Sequence, residues 1–459
     1  MNEILILLVV MFLMNYINFY ILGNLMFLMS LYFLKNISWI KWLNIFVGLG
    51  NNNYSNYLIL MMIWVFGMIF LNLNEMSKKC LMLNLILFFL MLLNFMVMDL
   101  LMFYFMYESS LLLIFYMVME WGYSEDRILA AFYLMFYTLV FSLPMLYLIF
   151  KLLSSSGSMI FFFLEISKFK FDYFSFMYLL MSFLVKIPMY MFHGWLIKAH
   201  VEASFFSSMI LASVMLKLGS YGMLRLILIF NNKFINLSCY FMMINLFGML
   251  ILSMMCLFQF DMKLIIALSS VIHMGIMSMG MLSGLKIGLL GGLLMMISHG
   301  LVSSGLFYLV NEIYKQTNSR IIFLNKGLIN LMPSMSMMWF MMCVYNSGAP
   351  ISLNMVSEIF LLMSLIMWYK YLFMFLFFYC LLSFMYSIYL YSFIQFGKIY
   401  SFNINLMNSS LLNYLTLILH LLPLNLFILN LFIYLNSLIK NIELWFQWYM
   451  MNMKYFKLF

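Results

Sequence analysis

Charge is what this chain has least of. Only 8% of its 459 residues are Asp, Glu, Lys or Arg, against 67% hydrophobic residues and a mean hydropathy of +1.08. That balance cannot solvate a globular surface, so a separate soluble domain is excluded. Arginine is scarcest, with Arg127, Arg225 and Arg320 alone in a chain of 54 Met, 51 Phe and 31 Tyr, a bias that suggests an A+T-rich organellar genome. The five cysteines, Cys80, Cys239, Cys256, Cys343 and Cys380, stand at least 17 residues apart. No iron–sulfur or zinc spacing exists among them, and they read as small core hydrophobes. No phosphate-cradling glycine loop stands between a strand and a helix either. The glycines of GLLGGLL at 288–294 lie inside an apolar run, where helix packing explains them.

What is present is a succession of apolar runs of roughly 20 residues, each long enough to cross a hydrocarbon core of about 30 Å as a helix. The expected fold is all-α, a polytopic transmembrane bundle of about 14 helices. Residues 1–80 hold the first spans, near 4–22 (read as a span, since it has no basic region or cleavage site), 25–34 and 57–73. Two sets of five follow. The first (81–230) has spans near 81–98, 100–119, 128–152, 173–203 and 205–230; the second (231–397) has spans near 234–258, 262–282, 287–312, 332–368 and 372–396. A last span near 411–435 and a mixed tail, 440–459, that suits a membrane interface or a neighbouring subunit, complete residues 398–459. The fourth member of each five is overlong and interrupted, one by Pro188 and Gly194, the other by Asn346, Ser347, Gly348 and Pro350. Corresponding interruptions in two halves point to inverted repeats around an ion path.

The net charge of +9 resides largely in residues between spans, including Lys78, Lys79, Lys168, Lys170, Lys315 and Arg320. It argues for membrane topology rather than nucleic-acid binding, without fixing an orientation. Against that background Glu108, Lys186, Lys217, His273, His299 and Glu358 each fall within a span. A lysine near the middle of a spanning helix costs about 2.5–3.5 kcal/mol on insertion scales, so ionisable groups distributed over many helices suggest a proton relay. Snorkelling requires a nearby span end, which neither Lys186 nor Lys217 has. Lys186, His193 and His200 are seven residues apart, which would align them on one stripe of a continuous helix. His193 and His200 suit either proton entry or an interfacial setting beside Trp195 and Lys198. Glu108 is a candidate partner for a lysine, and Glu358 a candidate exit carboxylate.

Several segments occur in one order: YESSLLLIFYMVMEWGYSEDR, FYTLVFSLP, LVKIPMYMFHGWLIKAHVEAS, VMLKLGSYGMLR, DMKLIIALSSVIHMG, ISHGLVSSGLFYLVN and NSGAPISLNMVSEIF. Through them the chain resembles the antiporter-like membrane subunits of respiratory complex I, NADH:ubiquinone oxidoreductase. The resemblance covers about residues 101–360. It departs from the family pattern at Ile197, Ser204 and Ile351, where proline is usual, and at Ile272, where serine is usual. Lost prolines put loop rigidity in question.

The resemblance implies a fourteen-helix subunit with two inverted five-helix repeats in the mitochondrial inner membrane. It would couple NADH oxidation and ubiquinone reduction elsewhere in the complex to proton pumping. Glu108 and Lys186 would gate uptake, Lys217 would be the central carrier, His273 and His299 the link, and Glu358 the end of the path. Flavin, iron–sulfur clusters and ubiquinone would belong to other subunits, leaving this chain without a cofactor or metal. Its partners would be the lipid bilayer and other membrane-arm subunits, including neighbouring antiporter-like ones. Two rivals share the buried charges: a subunit of a sodium/proton antiporter, and a purely structural membrane subunit. Interhelical polar contacts average only about 0.6 kcal/mol, which makes six buried ionisable groups an inefficient adhesive.

Overall fold

Backbone polar groups in hydrocarbon must bond within their own segment, and the apolar runs accordingly form helices. The structure is a computed structural model that describes residues 19–35, 43–46, 48–72, 77–166, 173–230, 235–398 and 409–429. The expected first span up to residue 18, the end of the last span and the tail at 440–459 lie outside the described residues. Helix α1 (Phe19–Lys35) packs on α2 (Asn53–Leu71), with a short antiparallel pairing of Leu43–Phe46 and Leu49–Asn51 between them. Then come α3 (Lys78–Met96), α4 (Leu100–Trp121), α5 (Arg127–Ser156), the short α6 (Phe161–Ile166), α7 (Tyr173–Lys186) and α8 (Gly194–Glu202). Next are α9 (Phe205–Ile229), α10 (Ile235–Leu257), α11 (Met262–Leu282) and α12 (Lys286–Thr317). Last come α13 (Pro333–Asn346), α14 (Leu353–Trp368), α15 (Leu372–Gln395) and α16 (Leu411–Leu429).

Ten of these helices are long and apolar enough to cross a membrane. Both overlong segments are broken, α7 from α8 and α13 from α14, as the Pro and Gly positions predict. The expected span at 25–34 is the longer α1. Helix starts follow local chemistry: Ser77 Oγ accepts from Cys80 N at 3.3 Å, Asp261 Oδ1 from Lys263 N at 3.0 Å, and Ser352 Oγ from Met355 N at 3.3 Å.

Burial sorts the helices into a centre and a rim. The hydrophobic stretches of α9 and α12 are 100% buried, and those of α2 and α11 94%, whereas α5, α15 and α16 bury a third or less and turn Phe136, Val140, Phe377 and Met385 outward. Lipid can cover such rims; the ionisable residues collect at the centre. Trp64 Nε1 donates to Leu419 O at 2.8 Å, tying α2 to α16. Cys80, Cys256 and Cys343 are buried among apolar side chains. Ile351, in the loop between α13 and α14, has φ of 70° and is exposed. Proline is locked near −65° and cannot adopt that conformation, so isoleucine here accompanies a different loop backbone from one carrying proline.

Candidate functional site

At the first break, helix α7 stops at Lys186 because Pro188 follows. Met189 N bonds Leu184 O at 3.1 Å, and the carbonyl of Val185 accepts instead from Trp195 Nε1, on α8, at 3.1 Å. A tryptophan thus replaces the missing helical donor and holds the two half-helices together. Lys186 occupies the carbonyl end of α7, where a cation is favoured. Its Nζ lies 3.1 Å from Glu108 Oε1, on α4, and 2.6 Å from the centre of the Tyr107 ring. A direct ion pair and an aromatic face together offset the loss of water around a buried ammonium.

Lys217 lies one helix away and is fully buried. Residues Leu211–Met215 of α9 form a π-helical turn, a deviation that re-aims backbone groups and recurs at functional sites. Lys217 Nζ donates to Ala212 O, in that turn, at 2.6 Å, and lies 2.9 Å from His299 Nδ1 on α12. Gly219 permits the approach of α9 to α7, since a Cβ there would stand 3.2 Å from Lys186 Cβ. No direct hydrogen bond joins the Glu108–Lys186 pair to the Lys217–His299 pair among the described residues.

The polar line continues into the second half. The rings of His299 and His273 are 5.8 Å apart. His273 Nε2 meets Tyr386 Oη at 3.1 Å, while its Nδ1 faces Glu358 Oε1 at 3.3 Å and Tyr379 Oη at 3.5 Å. Glu358 stands in the second turn of α14, just past the second break. Asn354 Nδ2 donates to Glu358 Oε1 at 3.2 Å and to the carbonyl of Tyr345 at 3.1 Å, which also accepts from Gly348 N at 3.3 Å; Asn354 Oδ1 accepts from Ser298 Oγ at 3.0 Å. Gly348 is required twice over, by its φ of +70° and because a Cβ there would stand 2.5 Å from Glu358 Oε2.

All six relay candidates therefore fall into three close pairs: Glu108–Lys186, Lys217–His299 and His273–Glu358. The expected stripe of Lys186, His193 and His200 is corrected, because a turn and a 3₁₀ segment, Tyr190–Phe192, separate α7 from α8 and end the helical register that the stripe assumed. His193 is part-exposed, with Nδ1 on the Tyr190 carbonyl. His200 is fully buried and stacks on Phe307, ring centres 4.7 Å apart. The interfacial setting therefore fails for His200. Sequence reasoning missed Tyr107, Tyr379 and Tyr386, which are hidden among 31 tyrosines, and His420, buried in α16 with Nδ1 2.7 Å from Thr416 O. It also missed Lys263 and Arg225, both buried. Arg225 donates to Tyr221 Oη at 2.6 Å and faces Glu165 at 3.8 Å. Lysine and arginine near span ends look like interfacial residues; the packing of α8 on α11, with the Tyr123 ring, covers Lys263. Among the described residues no three His, Cys or carboxylate side chains converge as a metal site requires.

Fold and polar axis together define a multi-pass membrane protein with ionisable pairs along its centre. Residues 97–384 match the family described as NADH:quinone oxidoreductase/Mrp antiporter, TM. NADH-ubiquinone oxidoreductase chain 4 of Apis mellifera ligustica is 57% identical over 380 residues, 83% of this chain and 85% of that one. Its counterpart in Ceratitis capitata is 40% identical over 390 residues, 83% and 87% of the two chains. Respiratory complex I from Thermus thermophilus contains a chain of the same fold, with TM-score 0.83 and 22% identity, covering 91% of this chain and 92% of that one. The Mrp complex from Dietzia sp. DQ12-45-1b contains another, with TM-score 0.77 and 16% identity, covering 92% and 48%. The chain belongs to the NADH:quinone oxidoreductase/Mrp antiporter membrane-subunit family.

Proposed function

We propose that this chain is a proton-translocating membrane-arm subunit of respiratory complex I in the mitochondrial inner membrane. The observation that carries the relay is the arrangement of its six ionisable residues in three pairs, all buried except the partly exposed Glu108, running from α4 and α7 through α9 and α12 to α11 and α14. The relatives named NADH-ubiquinone oxidoreductase chain 4 support the choice of complex. The chain itself performs no redox step; NADH oxidation and quinone reduction, with their flavin and iron–sulfur cofactors, take place in other subunits.

In this reading residues 81–230 and 231–397 are two inverted five-helix repeats, each contributing one broken helix. Glu108 holds a proton on Lys186 by direct charge pairing. A conformational signal from neighbouring subunits draws Glu108 away, the proton moves to Lys217, and the ammonium passes it to His299 Nδ1, 2.9 Å away. His273 receives it next and releases it toward Glu358. Moving one charge across the membrane costs about 2.3 kcal/mol per 100 mV, and rearranging a buried ion pair involves energies of that size.

A sodium/proton antiporter subunit is the second reading, favoured by the fold shared with the Mrp complex. Native gel electrophoresis of gently solubilised membranes separates the two. Migration with NADH-oxidising activity in a large assembly supports the complex I assignment; migration in a small complex without flavin or iron overturns it.

A further inference from the structure

We propose that Lys263 is the entry residue of the proton path, taking protons from a partly open ionic cluster and passing them through His200 to Lys217. The inference rests on the relay reading above and extends it to a residue with no assigned role.

Lys263 begins α11 but does not reach outward. It is 2% exposed, and its Nζ donates to the carbonyls of Ala203 at 3.0 Å and Val201 at 3.4 Å, at the end of α8. Those carbonyls form the negative pole of that half-helix, which favours an ammonium. The Tyr123 ring lies 4.4 Å away on another side. On the outer side are Glu202, Asp261 and Arg320, whose side chains keep 12%, 21% and 22% of their exposure. Arg320 reaches Val201 O at 2.6 Å, Asp261 at 3.9 Å and Glu202 at 4.0 Å, so Lys263 and Arg320 share one carbonyl. Burial holds the Asp261 carboxyl above the usual carboxylate range, with Arg320 opposing. A carboxyl of that kind takes up protons more readily than an ordinary surface aspartate.

On the inner side is His200, the residue preceding Val201 on the same half-helix. It is fully buried, and its ring stacks on Phe307 of α12, the helix whose His299 meets Lys217. Its two ring nitrogens have no hydrogen-bond partner. An imidazole buried only for packing carries the cost of two unsatisfied polar atoms, and a phenylalanine would stack on Phe307 without that cost. The other described histidines differ: His299 bonds Lys217, His273 meets two tyrosines, and His420 and His193 bond backbone carbonyls. Two open nitrogens are what an imidazole needs to accept a proton on one side and release one from the other without net change. Exposure falls inward along the series, from the part-open cluster to Lys263, His200 and Lys217. In each transfer a proton leaves one side chain as the next accepts it, so no further reactant is required.

The test uses the assembled complex in native membranes or reconstituted vesicles. Lys263→Arg retains charge and donors, but guanidinium does not deprotonate in proteins. A structural role would be rescued by it; an entry role would not. The expected result is that Lys263→Arg and His200→Phe lower the proton-to-electron ratio to the level of Lys217→Ala and slow proton uptake about 10²-fold, the lower range for a positioned acid–base group. NADH oxidation with an uncoupler present should persist. Normal pumping and uptake in Lys263→Arg would overturn the inference. If that variant fails to assemble, normal uptake in His200→Phe, whose ring preserves the Phe307 stack, overturns it instead. Should Lys217→Ala lose pumping while both entry variants keep it, the relay stands and only the entry assignment falls. Full pumping in Lys217→Ala would remove the relay reading itself.

Discussion

The two broken helices solve one problem with opposite charges. At the first break a cation, Lys186, occupies the last residue of α7 and meets a carboxylate from another helix directly. At the second an anion, Glu358, stands in the second turn of α14 and meets an imidazole supported by two tyrosines. The freed backbone is also treated differently. Trp195 satisfies Val185 O at the first break, whereas at the second Asn354 joins Gly348 N on Tyr345 O and binds Glu358 with the same amide. Charge and backbone are therefore separate at the first break and linked at the second. A lysine paired across helices can part from its partner without disturbing its own helix; Glu358 cannot move without disturbing the break.

Substitutions sharpen that contrast, the largest effect coming first. Glu108→Ala leaves Lys186 buried without its carboxylate and should cost about 3–5 kcal/mol, read as earlier thermal inactivation of the complex, because breaking a buried pair is worse than never having had one. Glu108→Gln retains a hydrogen-bond acceptor and should assemble better while still failing to gate; equal stability of the two variants would contradict the pairing. Gly348→Ala should cost about 1–3 kcal/mol through its left-handed backbone, and should slow pumping as well, since the new methyl presses on the Glu358 carboxylate. Glu358→Gln retains oxygen and amide contacts to Asn354 and His273, so stability should fall by only about 1 kcal/mol while proton release slows. Ile351→Gly, at the exposed corner of the second break, should raise stability by about 1 kcal/mol by relieving its positive φ. A loss there would mean that the loop backbone differs from the one described.

Most of the scaffold was legible because lipid imposes a simple rule: apolar runs become helices, and proline with glycine breaks them. The breaks at Pro188 and at Gly348–Pro350 illustrate this. Glu108, Lys186, Lys217, His273, His299 and Glu358 were legible because charge is costly in hydrocarbon. Helical arithmetic failed at His193 and His200, since a seven-residue spacing aligns side chains only where the helix continues. Lys263 escaped notice because its burial comes from α8, which lies about 60 residues earlier in the chain. Tyr379 and Tyr386 escaped because nothing in a tyrosine-rich sequence distinguishes a tyrosine facing a histidine from one facing lipid. Pairing is a tertiary property, and spacing along one helix does not encode it.

The central claim is that the buried pairs carry protons rather than hold helices together. The most direct test is the proton-to-electron ratio of the assembled complex carrying Lys217→Ala, measured in sealed vesicles during NADH oxidation. The account predicts an assembled enzyme with a lowered ratio and slower coupled quinone reduction. An assembled enzyme that pumps at the full ratio would contradict it.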